Sequence, residues 1–313
     1  MKKLIITNFL ILALLLVSTE LFVRYALKYN VQGISKNLIN KKKKVLFNNK
    51  NLINTTAFGA KVYTDENGFR ISENQKKKNF NKIIFIGGSI TFGPAISAKD
   101  TFVGLLNKVN EISVLNASVF GSNLENNYKL YKKFIKDKSI KKAFISLTLD
   151  DLRNDKIFNT EENNVNTILK DLKIINKINH YLRAKSATYV YFKNFLLNPK
   201  KTYYLNDLAV YKNIDNLNKA SSIFSDFSRE KEKIIFYILP YAQQVTVSGC
   251  QTKDIAETFL ENDLNIKEIK YLNLKKQFCA HKNPKNLYLK NDPVHLSKAG
   301  HAFVFTVLKK YIN

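Results

Sequence analysis

The sequence has no tryptophan, one methionine, two cysteines, four histidines and five prolines, and acids are scarce: 25 Asp and Glu against 51 Lys and Arg, a formal charge of +26. Four scattered histidines and two cysteines give no zinc-ligand spacing, so no metal centre is expected, and no motif demands a cofactor. A basic excess of this size is compatible with a nucleic-acid or anionic-membrane partner. The lysines, however, are spread along the chain among many Asn and Ile, a composition that an AT-rich genome produces. No aromatic-basic RNA motif accompanies them, so a nucleic-acid partner is not expected. No internal repeat is present. What is there is 313 residues, 45% of them apolar, enough for one large core or two small ones.

One long apolar run stands out. Lys2 and Lys3 precede Leu4 to about Val17, and the run continues less cleanly through Leu21, Phe22 and Val23 to Ala26. That is long enough to span a bilayer. A cleaved signal peptide is the competing reading, but Ser18-Thr19-Glu20 offers no Ala-x-Ala pattern, so an uncleaved signal anchor over residues 1–27 is expected. Glu20 should then lie near the interface. Residues 28–59 are polar and basic, with Lys41 to Lys44 in a row, and read as a solvated tether near the membrane surface. By the positive-inside rule these charges would hold the body in the cytoplasm, a signal that the chain-wide lysine bias weakens.

Residues 60–313 read as one domain. Asn67-Gly68 supplies turn chemistry for a small hairpin or lead-in arm over Val62 to Ile71. Strands are expected at Ile83–Ile86, Ser113–Ala117, Lys142–Leu149, Lys233–Leu239 and Ile269–Leu272. Helices are expected around Phe102–Val109, Leu124–Ile135, most of 165–228 with a break at Asn198-Pro199, and Ser297–Tyr311. The closing helix should have Ser297 as N-cap and Ala302, Phe303, Phe305 and Leu308 on one apolar side. Strands alternating with helices mean an α/β protein with a doubly wound parallel sheet.

Two stretches carry chemistry. The first is Lys82-Ile-Ile-Phe-Ile-Gly-Gly-Ser89-Ile-Thr-Phe-Gly93. A buried strand ends in a glycine pair, and Ser89 follows at the start of a helix, where open α/β sheets bind ligands. No Gly-Lys-Ser/Thr makes this a Walker loop, and Thr91 stands where the lipase elbow needs its second glycine. Taken alone, the stretch fits an ordinary strand–helix turn capped by Ser89 better. The second is Asn291-Asp292-Pro-Val-His295-Leu-Ser-Lys-Ala-Gly300-His301. Asp292 and His295 can share one turn, so that the carboxylate holds one imidazole nitrogen protonated while the other accepts a proton from a serine. Alone, it could also be an Asp-Pro turn beside a surface histidine.

Together these stretches resemble the SGNH (GDSL-like) hydrolase family over roughly residues 60–313. Gly87-Gly-Ser89-Ile-Thr-Phe-Gly93 resembles its first block, with Gly88 where the family has Asp. Asn116-Ala-Ser-Val-Phe-Gly121 resembles the second and Asp292-Pro-Val-His295 the last, and Asn67-Gly68-Phe69-Arg70 is similar to a lead-in of membrane-anchored members. The resemblance implies a three-layer, flavodoxin-like fold and a serine esterase or acyltransferase: Ser89 the nucleophile, His295 the base, Asp292 its orienter, and the N–H groups of Ser89 and Gly121 the oxyanion hole. It further implies an acylated small-molecule or polysaccharide substrate, an O-acetyl sugar of the envelope by preference; the Leu4 to Ala26 span and the pair Cys250 and Cys279 suggest an extracytoplasmic body. The third block departs from the pattern. Asp150 stands where the family has an oxyanion-donating Asn, so either burial protonates Asp150, or Asn154 or Asn123 substitutes, or activity is low. A weakly active or inactive glycan-binding or assembly protein is therefore the alternative. In an exported domain Cys250 and Cys279 read as a disulfide, with two free buried thiols the other possibility. His180 and His281 are expected at the surface.

Overall fold

The structure is a computed structural model, and it describes residues 2–42, 45–73, 81–109, 112–153 and 173–312. The chain opens with α1 (Lys2–Leu21), none of whose residues is buried, prolonged by a π-helical turn to Ala26. Lys2–Ala26 is long and apolar enough to cross a membrane.

The segment expected to be a solvated tether is folded. Strands β1 (Ile39–Lys42) and β2 (Val45–Asn48) form an antiparallel pair. They are followed by β3 (Thr55–Ala57), β4 (Ala60–Thr64) and β5 (Arg70–Ile71). Leu38 and Ala57 are fully buried, and the Asn48 amide donates to Gly68 O and Ser118 O at 3.0 and 2.9 Å. Such bonds are made only once the body is present, which is why the polar, aperiodic sequence read as solvated. Lys43 and Lys44 lie outside the described residues. The expected hairpin is formed by β4 and β5. Asp65 Oδ1 accepts from the N–H groups of Asn67 and Phe69 across its turn.

From β6 (Lys82–Ile86) the chain alternates as expected: α2 (Ser89–Phe92), α3 (Phe102–Val109), β7 (Ser113–Asn116), α4 (Leu124–Phe134) and β8 (Ile140–Leu147). The third strand ends before Leu149, which opens a 3-10 turn, Leu149–Leu152. Four helices form an insert: α5 (Lys173–Lys185), α6 (Ala187–Leu197), α7 (Pro199–Val210) and α8 (Ile214–Ser228). The break between α6 and α7 falls at Asn198, in the left-handed region, with Pro199 at the next helix's first position. Residues 165–172 of the expected helical stretch lie outside the described residues. There follow β9 (Ile234–Ile238), α9 (Val247–Gln251), α10 (Ile255–Ile266), β10 (Tyr271–Asn273), α11 (Lys275–Cys279) and α12 (Lys298–Leu308). Ser297 caps α12, its side chain accepting from Gly300 N. The buried face of α12 is Gly300, His301, Val304 and Leu308; of the expected apolar side, Leu308 is buried, Phe303 and Phe305 pack half-buried against the core, and Ala302 is exposed.

The eight-stranded sheet runs β10-β9-β8-β6-β7-β5-β4-β3. Its first five strands are parallel, as the alternation requires. The last three are antiparallel and extend it beyond the expected sheet, β5 pairing Arg70 with Asn116 of β7. Helices flank the sheet in two groups, α3 with α12 and α4 with α8 and α10. Phe85 and Phe144 stack at 4.9 Å in the middle of the core, with Phe102 and Tyr237 edge-on to Phe85. The site therefore sits at the carboxyl ends of β6, β7 and β8, the end at which open α/β sheets bind ligands.

Candidate active site

Ser89 is the first residue of α2, immediately beyond β6. Two constraints put it there. A Cβ on Gly87 would lie 1.9 Å from Ser146 Oγ of β8, so only glycine lets the strand turn this close to its neighbour. As a first helical residue, Ser89 has an N–H with no intrahelical acceptor. Gly121, after β7, adopts φ +78°, a turn that disfavours a side chain.

The structure brings the two sequence stretches together. His295 Nε2 lies 2.9 Å from Ser89 Oγ, across 206 residues of sequence. On the other side of the ring, Nδ1 lies 3.0 and 2.9 Å from the two oxygens of Asp292. Asp292 Oδ1 also accepts from the N–H groups of Val294 and His295, at 2.8 and 2.7 Å. Burial by itself would raise the Asp292 pKa. The imidazole and these backbone donors outweigh it and hold the carboxyl below its ordinary range. Asp292 is 3% exposed, so its negative charge faces His295 with little screening. Phe58 meets the His295 ring edge-on at 5.0 Å and Phe120 stacks at 6.0 Å, which limits the rotation of the imidazole.

The third expected oxyanion contributor, Asp150, follows β8 in the turn Leu149–Leu152. Asp150 Oδ1 accepts from Thr148 Oγ1 at 2.6 Å, and the Tyr241 hydroxyl faces the Asp150 carboxylate. Asp151 is the buried one of the two carboxyls, at 2% exposure. Burial, and then the neighbouring Asp150 charge, push the Asp151 carboxyl well above its ordinary range. The burial considered for Asp150 thus falls on Asp151. Its oxygens accept from Thr148 N and Oγ1 and from Asn127 Nδ2, while Asn127 accepts from Ser122 Oγ at 2.6 Å. This chain links the turn after β8 to the loop of Gly121. Asn123, one proposed substitute, is committed elsewhere: it caps α4 through Asn126 N and donates to Arg153 O. Asn154, the other, lies outside the described residues.

Sequence reasoning missed three contributors. Arg70 is buried and points its guanidinium at the carbonyls of Phe92, Gly93 and Ile96, tying down the end of the Ser89 helix. The Asn67–Arg70 motif was the available signal. Asp207 of the insert pairs with Arg153 and accepts from the Tyr241 hydroxyl at 2.6 Å, which fixes the insert against the β8 turn. No local pattern marks that cluster. Finally, an open cleft of about 620 Å³ adjoins the triad. Its walls include His295, Asp292, Phe58, Arg183, Lys193 and Leu197, the last four of them from the folded N-terminal arm or the insert. Of the histidines expected at the surface, His180 is exposed and His281 is half-buried against Phe303.

No protein-family model and no curated protein matches the chain. Solved structures do. A lipase/acylhydrolase from Enterococcus faecalis aligns at 15% identity over 75% of this chain and 98% of its own, with a TM-score of 0.43. The acetyl xylan esterase AlAXEase aligns at 12% identity over 74% of this chain and 100% of its own, with a TM-score of 0.42. A lipolytic protein of the G-D-S-L family from Desulfitobacterium hafniense aligns at 13% identity over 74% of this chain and 99% of its own, with a TM-score of 0.40.

Proposed function

We propose that the protein is an SGNH-type serine esterase or acyltransferase, held to a membrane by α1, that acts on ester-linked acyl groups, O-acetyl groups of envelope polysaccharide by preference. One observation carries the reading: a serine hydroxyl 2.9 Å from an imidazole nitrogen whose opposite nitrogen is held by a buried carboxylate. In this reading Ser89 Oγ attacks the acyl carbonyl carbon and His295 Nε2 takes its proton. Asp292 fixes the tautomer and balances the imidazolium. The N–H groups of Ser89 and Gly121 receive the oxyanion. The tetrahedral intermediate collapses, His295 returns the proton to the departing alcohol, and an acyl-enzyme remains. Water then yields hydrolysis and a sugar hydroxyl yields transfer. The cleft beside the triad opens directly onto Asp292 and His295, where an acyl ester would enter.

The extracytoplasmic placement is supported by the disulfide Cys250–Cys279, since such bonds persist in oxidising compartments. A fluorophosphonate probe tests the chemistry. It should label the parent protein on Ser89, and Ser89→Ala should lose both labelling and p-nitrophenyl acetate turnover while keeping its unfolding transition. An unlabelled, well-folded parent would leave the binding-protein alternative standing instead.

A further inference from the structure

The junction between α1 and the insert is built, not loose. Glu20, in the last turn of α1, accepts from the backbone N–H groups of Ala187 and Thr188 at 2.7 and 3.0 Å and from Ser186 Oγ at 2.8 Å. Its carboxylate therefore occupies the N-terminus of α6, where the helix dipole favours negative charge. Arg24 donates to Glu20 and, through its second arm, to Lys185 O at 2.6 Å, closing the junction from the other side. Ala187 and Val190 of α6 then pack with Val23, Tyr29 and Val31.

That packing uses one side of α6 and leaves another bare. Phe192, Phe195 and Leu196, spaced to share a helix face, are 53, 73 and 76% exposed. A contiguous apolar face of this kind on a soluble surface marks an interaction site. Lysines flank it at 185, 193, 200 and 201. An apolar helix face bordered by lysines suits the headgroup boundary of a bilayer carrying anionic lipid. The position agrees. Twenty residues of α1 rise about 30 Å, the thickness of the hydrocarbon core, so Glu20 and the start of α6 come at its edge.

We propose that the Phe192–Phe195–Leu196 face of α6 lies in the interface of the same bilayer that α1 crosses. This rests on the reading of α1 as a membrane anchor, and the test separates the two. The full-length protein is reconstituted in phosphatidylcholine–phosphatidylglycerol vesicles containing lipids with a nitroxide at a shallow or a deep acyl position. Environment-sensitive fluorophores are placed by Leu12→Cys in α1, Phe195→Cys in α6 and Ile266→Cys at the exposed end of α10. The native cysteines are bonded to each other and stay unlabelled. The dye at 12 should lose most fluorescence to the deep nitroxide, the dye at 195 to the shallow one, and the dye at 266 to neither. Quenching at 12 without quenching at 195 overturns the inference and leaves the anchor intact. No quenching at 12 overturns the anchor. Because Phe195→Cys could disturb the insert, Leu196→Cys serves as a second reporter, and each labelled protein must keep the parent's unfolding transition. A dye at 195 or 196 that is shielded yet insensitive to nitroxide means protein covers the face, which also overturns the inference.

Discussion

Individual buried residues around Ser89 do work that shows only as pH dependence. His301 is fully buried, its ring stacked on Phe102, with Nδ1 accepting from Phe102 N at 3.3 Å. Burial first, and then the charges of Arg70 and His295, push its imidazole down to about 3. In the unfolded chain His301 titrates near its ordinary value, so below about 6.5 the unfolded state binds a proton that the folded state refuses. Stability should therefore fall as the pH is lowered from 6.5 toward 3, by about 2 kcal/mol at pH 5 from this residue alone. His301→Gln keeps an acceptor for Phe102 and does not titrate. Denaturant unfolding at pH 7 and pH 5 should show a drop smaller by about that amount in the variant. An equal drop would mean that His301 is protonated in the folded protein. Asp151 has the opposite sign: a raised folded pKa makes stability decline as pH rises through and above the ordinary carboxyl range.

At the scale of elements, what the sequence discloses follows how local each signal is. Strands β6, β7, β8 and β9 are short β-branched and aromatic runs bounded by turns, and they fall within two residues of expectation. Asp292 and His295 are legible because three residues separate them and a helix follows. Their meeting with Ser89 is legible only as a family pattern, since 206 residues intervene. Strands β1 to β5 were largely hidden: each is two to five residues long, and their buried side chains bond to loops far away in sequence. Asp150 and Asp151 are neighbours of identical chemistry, so only the fold decides which one is buried. The disulfide lies between these cases. The spacing of Cys250 and Cys279 allowed two readings, and the structure joins them at a Cα separation of 5.8 Å, linking α9 to α11. Closing a loop of 29 residues' separation is worth about 3.6 kcal/mol in the chain-entropy model. Replacing both cysteines by Ser should cost about that much in denaturant unfolding while turnover survives, because α9 and α11 supply none of the triad. A neutral replacement would show that the pair is not bonded in the native protein.

Across the whole molecule, Glu20 joins two parts that the sequence presents as unrelated: an apolar N-terminal helix and a helical insert more than 160 residues later. Glu20→Ala removes the acceptor for two backbone N–H groups of α6. Hydrogen exchange should accelerate at Ala187 and Thr188 and remain unchanged in β6 and β8. Unaltered exchange at those two amides would mean that the N-terminus of α6 is held by Ser186 and water alone.

The folded N-terminal arm also settles how far the site can travel. A solvated linker would have let the triad sweep a hemisphere and search for distant polymer. Here residues 22–42 and 45–57 are tied to the body by packing and hydrogen bonds, and Gln32 and Phe58 even furnish walls of the cleft. The height of Ser89 above the end of α1 is thus a constant of the fold. Under the proposed function, an enzyme mounted in this way does not forage. Its acyl donors and acceptors would have to be delivered to one fixed altitude, which would make supply to that plane, rather than reach, the quantity that governs its turnover.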